Sequence, residues 1–451
     1  MYVSPEDMLA NSGNAAWMLM AASLVLLMTP GLAFFYGGMS QQKSVLNMMM
    51  MSFGAMMVVS IIYVLWGWSM SYGTEDIGGL FANPFEFFGL KDTITDADGN
   101  FIAGAFGYAN VIDVAFQVTF AIITVALISG SLAGRVKYGT WLVFAGIWVT
   151  LAYFPLAHMV WGGGLLSGSE DGLAAKIFGT TDDGDGGLVA SVAPIDFAGG
   201  TVVHINAGIA ALVLAVIIGK RAGFGKVAFR PHNLPFVMLG AALLWFGWFG
   251  FNGGSTLAAS VDIAKVNLNT QLAAAAGAVG SVVYRMVSRR PILLTETVNG
   301  SLAGLVAVTA GCAVMTPGFA VLTGLVAGAL AAFGARVLLA FRLDDVVGAV
   351  PVHAFAGAWG TLAAGLFYEG DLFNPERITV QLLGIVVAFG WAFFTALVMY
   401  MLVSLLAGLR APALHEQRGL DLSEHAESGY PEFPQNTLYN SDMSNPVESR
   451  S

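Results

Sequence analysis

The sequence predicts an all-α polytopic membrane protein with eleven transmembrane helices, arranged as an inverted five-helix repeat plus one extra helix. Three observations predict this fold: an apolar composition, eleven apolar segments of membrane length, and a repeated Asp–His spacing. Of the 451 residues, 57% are hydrophobic and only 11% are charged, whereas about a quarter of the residues in a soluble domain are charged. The chain is therefore expected to lie in a lipid bilayer.

Each apolar segment has close to the roughly 20 residues that a helix needs to cross a bilayer. No connection between them is long enough to separate domains, so we expect one membrane domain, residues 1–410, followed by a polar tail, residues 411–451. The predicted spans, numbered one to eleven, are 15–37, 45–71, 109–133, 139–161, 196–219, 233–254, 269–288, 292–314, 318–341, 346–368 and 378–407.

Basic residues are sorted between alternate connections. Of the 19 Lys and Arg residues, 13 fall in the connections of one side, four in those of the other side and two in the tail. The positive-inside rule then places the N-terminus outside and the C-terminal tail in the cytoplasm. The outer connections 72–108 and 162–195 are acidic. Such a face would mildly concentrate cations, although ordinary solvated loops are the plain alternative.

Spans five and ten share a motif in which an Asp is followed, after seven residues, by a His. The pairs are Asp196 with His204 and, 149 residues later, Asp345 with His353. Because the two spans start from opposite faces and eight helical residues rise about 12 Å, both histidines are expected near the middle of a ~30 Å core. An inverted repeat with a site at the midplane has this geometry. Ionisable residues at such depth are usually functional; the alternative is two structural histidines with backbone partners.

Several classes of function lack support in the sequence. The single Cys312 lies in an apolar segment, so no disulfide framework is expected. There is no phosphate-binding loop and no His/Cys metal motif. No pairing of a nucleophile with a base is evident either. We therefore expect no enzyme activity, no metal, no cofactor and no nucleic-acid partner.

Six segments resemble the signature segments of the ammonium transporter family (Amt/Rh/MEP), in particular its bacterial Amt-like members. The resemblance covers the chain from about residue 15 to 433, and its segments are 30–38, 157–164, 196–219, 248–252, 344–353 and 419–425. It implies a homotrimer whose eleven-helix subunits each contain a pore. It further implies movement of ammonium or ammonia across the cytoplasmic membrane.

The resemblance also implies roles for particular residues. They are an ammonium-binding site of Phe120, Trp161 and Ser255 supported by Asp196, a gate of Phe120 and Phe251, and a pore pair of His204 and His353. Aromatic faces suit the outer mouth because a cation–π contact contributes about 0.5–2 kcal/mol without a trapping charge. Neutral imidazoles suit the interior because a carboxylate would hold the cation too tightly to conduct. Asp196 is also well placed to cap span five.

Two positions depart from the family pattern. Ala354 follows His353 where many members have Gly, so the packing beside the second His is expected to differ. Pro351 lies two residues before that His and is expected to kink span ten. Two further histidines near span ends, His158 and His232, are expected to be interfacial.

Two further readings of function compete with transport. One is an ammonium sensor, or transceptor, that signals through its cytoplasmic tail; the other is a Rh-like gas channel, which Trp161 and Ser255 disfavour. The resemblance implies a PII-type regulatory protein as a partner at the cytoplasmic face. In the tail, the acidic residues Asp421, Glu424 and Glu427 are expected to pack against basic inner loops such as 220–230, either of the same chain or of a neighbouring subunit. The alternative is a passive, solvated tail.

Overall fold

The eleven predicted spans all coincide with helical segments. In a computed structural model, the described residues are 4–432 except 105, 228 and 407. Within these residues, eight helices are long and apolar enough to cross a membrane. The helices at the three remaining predicted spans, seven, eight and ten, are not among these eight. The last part of the predicted tail, residues 433–451, lies outside the described residues.

The spans keep their sequence numbers, and five of them contain more than one helical type. Their segments are Ser12–Met39 (one), Val45–Ile62, Tyr63–Gly67 and Trp68–Tyr72 (two), Val111–Ile128 and Ser129–Leu132 (three), Tyr138–Trp148, Val149–Tyr153 and Phe154–Trp161 (four), Gly200–Ile205 and Asn206–Ile218 (five), Leu234–Gly254 (six), Asp262–Val287 (seven), Leu294–Thr309 (eight), Pro317–Ala340 (nine), Val350–Phe355 and Ala356–Leu366 (ten), and Pro375–Leu406 (eleven).

Short elements complete the connections. Two small antiparallel hairpins lie in the acidic connections, and two short helices form the described part of the tail. The short elements are Pro5–Ala10, Gln42–Ser44, Asp76–Ile77 paired with Phe81–Ala82, Phe88–Leu90, Leu173–Phe178, Thr180–Asp182 paired with Leu188–Ala190, Ala413–Arg418 and Leu420–His425.

Spans five and ten begin in the same way, as the repeat predicts. The Asp345 carboxylate accepts the backbone N–H groups of Ala349 and Val350, at 3.1 and 2.9 Å. Asp196 caps span five through the corresponding N–H groups. Because the first N–H groups of a helix have no partner within it, these carboxylates fix where each helix starts. Beyond each cap, the first helical segment is a π-helix, Gly200–Ile205 or Val350–Phe355, which contains the His.

The expectation that Pro351 kinks span ten is wrong. The helix of span ten begins at Val350, so Pro351 lies in its first turn. A proline there removes no hydrogen bond, since the first N–H groups of a helix lack an intrahelical acceptor.

Spans five and ten cross in very close contact at two glycines. Gly208, four residues after His204, leaves so little room that an added Cβ would lie 2.3 Å from the backbone nitrogen of Ala354. Gly357, four residues after His353, would place a Cβ 3.1 Å from the Cβ of His204. Each copy of the motif therefore supplies the space into which the other copy's histidine segment fits.

The tail docks on the starts of spans two and four. The Asp421 carboxylate accepts the N–H of Asn47 at 2.9 Å, and Glu424 accepts the N–H of Tyr138 at 3.2 Å. Both N–H groups belong to the first turn of a span, where the helix dipole favours a carboxylate. The expected pairing of Asp421 and Glu424 with the basic loop 220–230 is therefore wrong within the chain. Instead, Glu416 reaches that loop by accepting the N–H of Ala222 at 3.2 Å.

Candidate functional site

The four residues predicted for ammonium binding line one open cavity of about 480 Å³. Trp161, the last residue of span four, presents its ring to Phe120 edge-on, with ring centroids 6.2 Å apart at 87°. The hydroxyl of Ser255 donates to the carbonyl of Phe251 at 2.9 Å, so its oxygen lone pairs are left to accept. We call this cavity the vestibule. It combines aromatic faces with a hydroxyl acceptor, a pairing that suits a small cation.

Asp196 holds the vestibule together through its backbone and its capping contacts. Its carbonyl accepts the indole N–H of Trp161 at 2.8 Å, which fixes the orientation of that ring. Its carboxylate oxygens accept the N–H groups of Gly199, Gly200, Thr201 and Val202 and the hydroxyl of Thr201. The carboxylate is thus occupied by the start of span five. Asp196 positions the site, and its charge faces the helix rather than the cavity.

Phe120 and Phe251 stack between the vestibule and a second cavity. Their ring centroids lie 4.2 Å apart with planes inclined by 23°, and both residues are 1% exposed. Phe120 lines the vestibule and Phe251 lines the inner cavity, which has a volume of about 20 Å³, room for about one molecule the size of water. We call the second cavity the lumen. The stacked rings lie between the two spaces, at the position expected for the predicted gate.

The structure brings His204 and His353 into contact in the lumen. Their Nδ1 atoms lie 3.2 Å apart and their rings stack at 20° with centroids 5.2 Å apart. Both residues are buried and both line the lumen. Because a hydrogen bond between two Nδ1 atoms needs one proton, one imidazole donates and the other accepts. The neutral pair then carries one Nε2 acceptor and one Nε2–H donor.

Trp248 is a site residue that the sequence interpretation did not single out. Its ring stacks on His204, with centroids 5.5 Å apart at 22°, and its indole N–H donates to the Thr309 hydroxyl at 2.9 Å. The signal that could have found it is its spacing. Trp248 lies three residues before Phe251 on span six, so both rings must share one face of the helix.

The remaining predicted histidines have structural partners. His158 is buried rather than interfacial, because its Nε2 contacts Asp76 at 2.9 Å and its Nδ1 contacts the Ser71 carbonyl at 3.3 Å. Burial raises the pKa of the Asp76 carboxyl, but hydrogen bonds from His158 and from the backbone N–H of Gly79 bring it below its usual range. His232 is half-buried against Tyr430 of the tail. No group of three or more His, Cys, Asp or Glu residues in the described part of the chain could hold a metal.

A buried ion cluster lies beside the start of span ten. Asp344 is paired with Arg135 at 3.1 Å and with Arg221 at 2.7 Å. Arg135 has no exposed side-chain surface. Although burial raises the pKa of the Asp344 carboxyl, the hydrogen bonds and charges of the two arginines hold it below its usual range. The cluster joins the connections after spans three, five and nine, next to the residue that caps span ten.

Comparisons with known proteins agree with this architecture. The family model described as Ammonium Transporter Family matches residues 16–430. A protein of Mycobacterium tuberculosis named ammonium transporter is 42% identical over 93% of this chain and 90% of its own length. An ammonium transporter of Bacillus subtilis is 37% identical over 93% of this chain and 98% of its own length.

Among solved structures, one described as a sensor Amt protein superposes with a TM-score of 0.79 at 30% identity. The match covers 92% of this chain and 98% of the sensor. The family model and the relatives extend over nearly the whole membrane domain and the docked tail. This chain is therefore a member of the ammonium transporter family.

Proposed function

We propose that the chain is an ammonium transporter of the cytoplasmic membrane, with its N-terminus outside and its tail in the cytoplasm. Family membership supports the substrate, and the sorting of basic residues supports the orientation. The family also supports a homotrimer with one pore per subunit. The observation that carries the proposal is the linear order of vestibule, stacked Phe pair and His pair within a single chain.

In this mechanism, the vestibule recruits the cation. The faces of Trp161 and Phe120 attract it, and the Ser255 oxygen accepts one of its N–H groups. No carboxylate points at the bound ion, because that of Asp196 is occupied by the start of span five. Attraction without a fixed opposite charge keeps binding weak enough for release.

Rotation of Phe120 or Phe251 then admits the nitrogen into the lumen. The His pair offers an acceptor at one Nε2 and a donor at the other, which can replace part of the lost hydration. When the bare Nε2 of one imidazole takes up a proton, the Nδ1 proton passes to the other ring and that ring releases its Nε2 proton, so the two roles are exchanged and the pair stays neutral. The pair can therefore serve a nitrogen that approaches from either side and can relay a proton.

The test is transport by the purified full-length protein in liposomes. Ammonium pulses on a solid-supported membrane report moved charge, while a pH-sensitive dye inside the vesicles reports ammonia entry. We expect a response well above that of protein-free vesicles. We also expect His353→Ala to lower the rate at least tenfold, because it removes one half of the proton-sharing pair. A correctly folded wild-type protein that gave neither signal would exclude transport.

A second candidate function is sensing. It is favoured by the similarity to the solved sensor Amt protein and by the tail contacts that cap spans two and four. A sensor would bind ammonium and shift its tail while moving little substrate. Protein with ammonium-dependent protection of the tail from proteolysis, but without flux in the liposome assay, would favour this function over transport.

A PII-type signalling protein is the proposed regulatory partner at the cytoplasmic face. Family membership supports this partner, and the basic connections of that side supply the surface for it. Co-purification of the full-length chain with a PII protein of the same organism tests the interaction. The absence of any complex would contradict it.

A further inference from the structure

The lumen contains a polar group beyond the two histidines. Its wall is otherwise apolar apart from Tyr36 and Trp248, and both of these donate elsewhere. The Tyr36 hydroxyl donates to the Leu127 carbonyl at 3.0 Å, and the Trp248 indole donates to Thr309. The remaining polar side chain is Asn299 of span eight.

The amide of Asn299 is fixed in one orientation. Its Nδ2 donates to the carbonyl of Val347 at 3.1 Å. A flipped amide would set Oδ1 against that carbonyl, and two acceptors repel, so the orientation is dictated by the partner. Oδ1 must therefore point away from Val347. That oxygen is buried, and no group in the described residues bonds to it.

The position of Asn299 places this acceptor at the far end of the lumen from the Phe pair. Asn299 lies near the start of span eight, just after the basic connection 285–290, and its amide contacts the residues that immediately precede span ten. Phe251, in contrast, lies near the end of span six that faces the vestibule. Gly348 makes the contact possible, because a Cβ there would lie 2.9 Å from the Asn299 Nδ2.

We propose that the Asn299 oxygen is an exit-side acceptor for the transported nitrogen. It receives an N–H group of ammonium or ammonia as that nitrogen leaves His353. A buried acceptor without a partner in the protein carries a free-energy penalty, and an N–H donor in the lumen removes it. As a neutral amide it accepts without the trapping charge of a carboxylate. The inference rests on the proposed transport function, and it extends the path by one residue.

Two small substitutions of similar size test the role of the acceptor. Asn299→Ala removes the oxygen, whereas Asn299→Ser keeps a hydroxyl oxygen at a similar volume. In reconstituted full-length protein, we expect Asn299→Ala to lower the transport rate about three- to tenfold and Asn299→Ser to retain at least half of it. The apparent affinity for ammonium should not change, because recruitment depends on the vestibule. Asn299→Leu, which also keeps water out of the vacated space, should match Asn299→Ala or be slower.

The control is Asn267→Leu on span seven. Asn267 also has a buried side-chain oxygen without a partner, but it does not line the lumen. This variant should transport like the wild type. Thermal unfolding of each purified variant checks that rates are compared between folded proteins.

Current on the solid-supported membrane and alkalinisation reported by the vesicle dye then distinguish ammonium from ammonia as the donor to Asn299. A lower current in Asn299→Ala indicates that the oxygen accepts from ammonium. Slower alkalinisation with an unchanged current indicates that it accepts from ammonia.

The outcomes separate this inference from the proposed function. Equal rates for Asn299→Ala and the wild type would overturn the inference. So would an equal loss in Asn299→Ala, Asn299→Ser and Asn267→Leu, since such a loss would be structural. If the wild type transports and His353→Ala does not, the proposed transport function is supported. The role of Asn299 is then decided separately by comparing Asn299→Ala with Asn299→Ser. A wild type that moves no ammonium removes both.

Discussion

Trp161 is held in the vestibule by a single strong contact, the hydrogen bond from its indole to the carbonyl of Asp196. Its ring also lies at right angles to that of Phe120. In the proposed mechanism the residue therefore contributes in two ways, by attraction to the ion and by packing beside the gate. A substitution that keeps an apolar side chain separates these contributions.

We expect Trp161→Leu to weaken the apparent ammonium affinity about three- to thirtyfold, since it removes a cation–π contact of about 0.5–2 kcal/mol. Discrimination against potassium should fall as well, while the maximal rate should hold or rise because the gate is less crowded. Current titrations with ammonium and potassium on solid-supported membranes measure both quantities. Unchanged affinity and unchanged selectivity would contradict the role of the indole ring.

Asp344 illustrates a residue whose charge matters for stability. Replacing it by Asn leaves the fully buried Arg135 without its anion. Removing one partner of a buried pair costs about 3–5 kcal/mol, so Asp344→Asn should lower the unfolding temperature by several degrees. Asp371→Asn is a suitable control, because Asp371 is a more exposed carboxylate that is also paired with an arginine.

The same carboxyl predicts a pH dependence of stability. Its folded pKa lies below the usual value of about 3.9. The stabilisation is therefore fully present above the usual value and is lost as the pH falls through the folded pKa. Wild-type protein should lose stability in this acidic range more steeply than Asp344→Asn. Parallel curves for both proteins would show that the cluster does not contribute.

At the scale of elements, the crossing of spans five and ten sets the distance between the two histidines. Gly208 packs on the backbone of Ala354, and Gly357 packs beside His204. Ala354, where many family members have Gly, thus lies with its backbone directly against Gly208.

We expect Gly208→Ala to destabilise the protein by about 1–3 kcal/mol, since overpacking at a backbone contact forces the spans apart. Gly357→Ala should be milder, because its nearest neighbour is farther away. Gly384→Ala on span eleven is the control: no atom lies within 4 Å of its added Cβ. Thermal unfolding in detergent ranks the three variants. A Gly384→Ala protein as unstable as Gly208→Ala would contradict the argument.

The elements also show what sequence could and could not predict. Hydropathy located all eleven helical segments, and the Asp–His spacing located the crossing, because both depend on local composition. The π-helical turns that contain His204 and His353 could not be predicted, since they differ from α-helix by one residue per turn and leave the apolar pattern unchanged. The position of Pro351 was misjudged because the span boundary was set four residues too early.

At the scale of the whole molecule, the tail connects distant parts of the chain. Arg410 donates to the carbonyls of Ile218 and Lys220 at the end of span five and pairs with Glu416. Lys43 donates to the carbonyls of Glu416 and Gln417. Sequence charge alone misplaced the contacts of Asp421 and Glu424, because it matched carboxylates to basic side chains and overlooked backbone N–H groups at helix starts.

Truncation after Ala411 removes the carboxylates that cap spans two and four. We expect this protein to transport at a reduced rate while remaining assembled. A chain that ends at Glu432 is the matched control, because it keeps every described tail contact and should transport like the full chain. Rates in liposomes and native mass spectrometry measure the two effects. Equal transport by both truncated proteins would show that the docked tail is passive.

The two glycines at the crossing have a consequence for how such a protein can evolve. A larger residue at Gly208 would press on the backbone of His353 and Ala354, and one at Gly357 would press on His204. A substitution in either copy therefore acts on the histidine segment of the other copy. We expect the two copies to change together at this crossing, even where the rest of their sequences differ.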